Sequence, residues 1–170
     1  MLASLFFVVC VGSLAVSHGL CPIDTYASSS CLAVGGAQLK IHGSFRSSMN
    51  IICGVASRCN VKLHITSSFR KPGSVVLGAI VPPATLSNHN VGHAIDMNVV
   101  YGKNRNLCNS NCLRVKLQPP EVKCFINGVK AQGLRWGGDF STIDTVHIDD
   151  GYNMNTTNYR ALYKNIQKEC

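Results

Sequence analysis

Acidic residues are scarce in this chain: eight Asp and Glu stand against sixteen Lys and Arg, a formal charge of +8 at pH 7. The imbalance excludes an anion-repelling surface and favours partners that carry negative charge. There is no Lys/Arg block and no interleaving of basic with aromatic residues, which argues against nucleic acid and leaves acidic glycans and bacterial envelopes. Tryptophan occurs once. No internal repeat or low-complexity tract is present, and beyond the first residues no apolar run is long enough to span a bilayer.

What is there begins with an apolar stretch, Leu2 to Val16, followed by small residues through Gly19. It is too short for a membrane span and reads as a secretory leader over residues 1–19. Its flank lacks Lys and Arg, so the terminal amine alone supplies positive charge. Of the nine cysteines, Cys10 falls inside that leader. The other eight are Cys21, Cys31, Cys53, Cys59, Cys108, Cys112, Cys124 and Cys170. An even number in a small exported domain predicts four disulfides, with the pairing left open. A second metal site at Cys108-x-x-x-Cys112 is the weaker reading, because exported thiols oxidise. The expectation is a secreted, extracellular monomer without a membrane span.

The 170 residues suit one domain. Residues 20–58 read as a Cys-rich lead-in and first helix, and 59–170 as the core of one globular domain, 20–170. Residues 21–40 read as irregular. A helix is expected over Ser44–Ser57 with Ser44 as its cap, and a strand over Val61–Ser67 before the turn Arg70-Lys71-Pro72-Gly73. Val75–Val81 is apolar and ends at Pro82-Pro83. Gly92–Tyr101 is the clearest strand. Lys103–Pro120 reads as a polar loop. Pro120–Gln132 is expected to be a helix with proline at its start and Gly133 at its end. Thr145–Asp149 should form a short strand and Thr156–Lys168 a terminal helix. The class is therefore α+β, a small antiparallel sheet flanked by helices and stabilised by disulfides.

The chemistry concentrates in Ser87-Asn88-His89-Asn90-Val91-Gly92-His93-Ala94-Ile95-Asp96, which reads S-x-H-x-x-G-x-A-x-D, and in Asp144-Thr145-Val146-His147. Two imidazoles, a ligating carboxylate and a further carboxylate suit a catalytic zinc with an open position for water. Strand alternation puts Ile95, Met97 and Val99 on one face and Ala94, Asp96 and Asn98 on the other. It also puts His147 with Thr145 and Asp149, so Asp96 and His147 can share a cleft with His89 approaching from the turn. A helical His89/His93 pair is disfavoured by Gly92 and by the absence of the glutamate that an H-E-x-x-H motif needs.

These motifs resemble those of the zinc peptidases that comprise D-alanyl-D-alanine carboxypeptidases and dipeptidases and the endolysin L-alanyl-D-glutamate endopeptidases. The resemblance covers roughly residues 60–150. It implies a hedgehog/DD-peptidase-like fold, with His89, Asp96 and His147 as Zn2+ ligands and Asp144 as catalytic acid/base. It also implies that Arg70, in Ser67-Ser68-Phe69-Arg70, binds substrate and polarises the scissile carbonyl. Trp136-Gly137-Gly138-Asp139-Phe140 ahead of D-x-x-H is similar to the endolysin branch. On this basis the chain is expected to hydrolyse amide bonds in peptidoglycan stem peptides, L-Ala–D-Glu or D-Ala–D-Ala, at an anionic bacterial envelope. The competing expectation is a non-catalytic, zinc-containing wall-binding or hedgehog-like signalling module, which has no need for Asp144 and Arg70 together. A third is a disulfide-rich structural or toxin-like protein. Asn155-Thr156-Thr157 is a glycosylation sequon.

Overall fold

The computed structural model describes residues 21–71, 73–74 and 84–170. The expected leader, Pro72 of the expected turn and the Val75–Pro83 stretch lie outside the described residues. In chain order the strands are β1 (Ile23–Tyr26), β2 (Cys31–Ala33), β3 (Leu39–His42), β4 (Lys62–Ser67), β5 (Ala94–Tyr101), β6 (Asn106–Cys108), β7 (Arg135–Trp136) and β8 (His147–Asp149). The helices are α1 (Arg46–Arg58), α2 (Ser110–Arg114), α3 (Pro120–Ala131) and α4 (Thr156–Glu169).

The sheet is built around β5 and runs β2-β4-β5-β8-β7. Two short strands share one edge of β5: β8 pairs with Ala94–Asp96 and β6 with Val99–Tyr101, both antiparallel. The sheet is not wholly antiparallel, because β2 lies parallel to β4. Val/Ile/Met alternation explains the polarity of β5. Ile95, Met97 and Val99 are fully buried beneath α1 and α3 with Leu63, Ile65 and Ile148, and Asp96 and Asn98 face the other way.

Several expectations need correction. Residues 21–40 are not irregular: they hold β1, β2 and β3, with β1 and β3 forming a separate two-stranded sheet. The first helix starts at Arg46, after a 3-10 turn over Gly43–Phe45, and Ser44 does not cap it. The Ser44 amide instead donates to His42 Nδ1. The polar loop contains β6 and α2, the latter capped by the Asn109 side chain. By contrast α3 begins at Pro120 and is followed by Gly133 in the left-handed region, φ +80°, as the asymmetry of helix ends predicts.

Four disulfides tie these pieces together. Cys31–Cys53 joins β2 to α1, Cys59–Cys124 joins the end of α1 to α3, and Cys108–Cys112 closes the turn between β6 and α2. Cys21–Cys170 joins β1's approach to the end of α4. Helix α4 packs a smaller apolar cluster, Tyr159 and Ile166 against Val91. Among the described residues no helix is long and apolar enough to cross a membrane.

Candidate metal centre

Three elements deliver the site. Asp96 comes from β5 and His147 from β8, and these two residues are register partners across the sheet. His89 comes from a 3-10 turn over Asn88–Val91 that ends at Gly92 in the left-handed region. Only glycine fits there: φ is +72°, and a Cβ would lie 2.5 Å from the His42 nitrogen. The Gly92 carbonyl accepts from that same His42 amide, so close backbone approach fixes the turn against β3. On the other side, a shift in the β4–β5 register between Ile65 and Ser67 sets Ser67 opposite Asp96. Such irregularities re-aim the backbone beside sites, and here the next residue, Ser68, turns its carbonyl to His89.

The candidate ligand atoms converge. His89 Nε2 lies 3.1 Å from Asp96 Oδ1 and 3.2 Å from His147 Nδ1, and His147 Nδ1 lies 3.3 Å from Asp96 Oδ1. Each imidazole is held from its far nitrogen. His89 Nδ1 donates to the Ser68 carbonyl at 2.7 Å, and His147 Nε2 donates to Asp149 Oδ2 at 2.8 Å. Those bonds fix the protons on the outward nitrogens and leave two lone pairs facing Asp96. Arg135 in turn clamps Asp149 with two bonds, 2.6 and 2.7 Å. A donor set of two imidazoles and a carboxylate, all within 4.8 Å of one another, fits a cation of the zinc class.

Electrostatics agree with that geometry. Burial opposes charge on Asp96, yet the two imidazoles overrule it and hold the carboxyl well below the usual range. Burial likewise opposes charge on His147, but Asp149 and Asp96 raise its pKa to about 9. The site thus binds a proton avidly when no metal competes. Asp149 is held low by His147 and Arg135 against its own burial.

Asp144 and Arg70 border the cluster. Burial first, and then the neighbouring Asp96 charge, push the Asp144 carboxyl above its ordinary range. Among the described residues its Oδ1 is buried without a hydrogen-bond partner, a costly condition for a carboxylate unless something else is meant to meet it. Aspartate reaches one methylene less than glutamate, so its backbone must lie close. Gly137 permits this: its carbonyl accepts from the Asp144 amide at 2.9 Å, and a Cβ there would overlap the Asp144 carbonyl. Arg70 Nη1 sits 3.7 Å from Asp96 Oδ2, and the Arg70 amide donates to the His89 carbonyl.

Residues 82–150 match the family model of D-alanyl-D-alanine carboxypeptidase. No curated protein matches the chain. The carboxypeptidase-type span carries His89, Asp96, Asp144, His147 and Asp149, and Arg70 precedes it. Of the other motif residues, His93 turns away from the cluster to Asp150. Asp139 pairs with Lys130 at the surface. Trp136 packs against the core and donates to the Thr145 carbonyl. Ser87 serves through its carbonyl, which accepts from Tyr159 Oη. Sequence reasoning missed Asp149 as an orienting group. The signal was available, since a strand places residues i and i+2 on one face and Asp149 stands two after His147.

Proposed function

We propose that this chain is a secreted zinc metallopeptidase that hydrolyses amide bonds of peptidoglycan stem peptides. One observation carries the reading: an Asp144 oxygen that is buried and unpartnered among the described residues, beside a convergent His89–Asp96–His147 set. A structural or purely wall-binding metal site has no use for that oxygen. The carboxypeptidase match supports the same substrate class, and the +8 charge suits an anionic wall. The disulfides and the apolar start of the chain favour export.

Bound through His89 Nε2, Asp96 Oδ1 and His147 Nδ1, zinc would supply Lewis acidity toward water and the scissile carbonyl. Asp144 accepts the proton of the attacking water as the C–O bond forms, then returns it to the amine as the C–N bond breaks. Its raised affinity for a proton suits it to both halves. Arg70 donates to the oxyanion or to a substrate carboxylate, a contribution worth roughly 3–4 kcal/mol when one such donor is lost. Phe140, packed on the His147 ring, shields the ligand from water on its side.

The test is mass spectrometry of purified peptidoglycan after incubation with the mature protein, with Asp144→Ala alongside. New stem-peptide fragments from the wild type and none from the variant are expected, and their masses name the bond. Zinc-loaded, folded protein that cleaves no wall chemotype would overturn the peptidase reading in favour of a wall-binding or hedgehog-like module.

A further inference from the structure

Seven large apolar side chains stand exposed among the described residues, and they are not scattered evenly. Leu107 at 53%, Val115 at 50% and Leu117 at 92% all come from the segment between β5 and α3. Leu107 is the register partner of Val100, so it lies on the sheet face that carries Asp96. A fourth exposed residue, Ile143, stands two residues before Thr145, whose Oγ1 donates to the Ser110 carbonyl of the same segment at 3.1 Å. Single exposed leucines are ordinary on a protein surface, whereas a group of them marks an interaction site.

The segment is also basic throughout. Lys103, Arg105, Arg114 and Lys116 are exposed, and no Asp or Glu occurs from Gly102 to Pro120. It is not slack. The Asn109 side chain caps α2, Cys108–Cys112 brings the two ends of the turn to a Cα separation of 5.0 Å, and Gln118 Nε2 donates to the Leu113 carbonyl at 2.6 Å. Leu113 is fully buried and pins α2 to the core. Leu107 precedes one end of the bridge and Val115 follows the other by three residues. These apolar groups are held outward by a fixed scaffold, so docking them costs little further ordering.

We propose that residues 103–117 dock this protein on an anionic lipid surface. Leu107, Val115 and Leu117 enter the boundary between headgroups and acyl chains, and Arg105, Arg114 and Lys116 meet lipid phosphates. Charge and apolarity together select the partner. A hydrated polyanion, such as a wall polymer, would satisfy the cations but give the aliphatic side chains nothing to enter. Because Ser110 is bonded to Thr145, between Asp144 and His147, docking holds the candidate metal cluster close to the lipid surface.

The experiment is co-sedimentation of the disulfide-intact, chelator-stripped protein with phosphatidylcholine vesicles, with and without phosphatidylglycerol. Binding is expected only to the anionic vesicles. Leu117→Ser, at an exposed position that carries no risk to folding, should weaken it about 10-fold. Lys116→Gln should weaken it about 5-fold, and Lys164→Gln, which removes an exposed cation from α4, should leave it unchanged. No binding to anionic vesicles would overturn the proposal. So would binding that Leu117→Ser leaves intact or that Lys164→Gln weakens as much as Lys116→Gln, since net charge alone would then account for it. None of these results depends on whether the protein holds zinc or cleaves peptidoglycan.

Discussion

At the scale of single residues, the cluster depends on which ring nitrogen each histidine presents. His89 offers Nε2 and His147 offers Nδ1, and each choice is set by the acceptor behind the ring, the Ser68 carbonyl and the Asp149 carboxylate. Asp149→Asn replaces that acceptor with a weaker one, so zinc affinity should fall about 10–100-fold, read by competition with a chelating dye. On the proposed peptidase reading, the acid side of the pH profile belongs to Asp144. It must be ionised to take a proton, and burial with the Asp96 charge raises its pKa. Turnover should therefore climb through a midpoint above the ordinary value of 3.8. The stability contribution has the opposite sign: it is full below the ordinary value of 3.8 and is lost as pH rises from there through the raised value. A kcat/KM profile with its acid midpoint at or below 3.8 would refute the base assignment. His89, Asp96 and His147 were legible in the sequence because motif spacing and strand alternation act together. Ser68 was not, since a backbone carbonyl leaves no trace in a side-chain pattern.

At the scale of elements, the site is a seam between two strands and two turns. β5 and β8 set Asp96 beside His147 through backbone pairing alone, so their separation does not depend on loop conformation. Asp144 is held differently, by the turn through Gly137. Gly137→Ala forces that turn open, because the added Cβ would overlap the Asp144 carbonyl and come within 3.0 Å of the His147 Cβ. A displacement near 1 Å at a reacting group costs on the order of 10²-fold in rate, and overpacking of this kind costs about 1–3 kcal/mol in stability. Both are expected, read as turnover and as the urea midpoint. Alternation made β4 and β5 legible from sequence, and Pro120 with Gly133 marked the ends of α3. β1, β2 and β3 were not, because three or four residues hold too little of a period, and β2 draws its place from a distant parallel pairing with β4.

At the scale of the whole molecule, the chain's described ends are clamped behind the site. Cys21–Cys170 closes a separation of 149 residues, and the helix it anchors, α4, sends Tyr159 Oη to the Ser87 carbonyl at 2.9 Å. Ser87 opens the turn that carries His89, so the last helix buttresses that turn. The cysteine count announced a disulfide framework but could not announce this coupling, since the pairing depends on where α4 docks. Replacing both Cys21 and Cys170 by serine should lower stability by about 2–5 kcal/mol, read as a shift in the denaturation midpoint of the metal-free protein. If α4 works only as a staple, zinc affinity should stay at the wild-type level once the variant is folded. The Tyr159–Ser87 contact argues otherwise. A helix released at its C-terminus frays toward Ile166 and Tyr159, the residues packed on Val91 in the ligand turn, so His89 loses its support. Zinc should then dissociate faster from the serine pair than from wild type at a temperature where both are folded. Equal dissociation rates would confine the disulfide to stability and remove α4 from the account of the site.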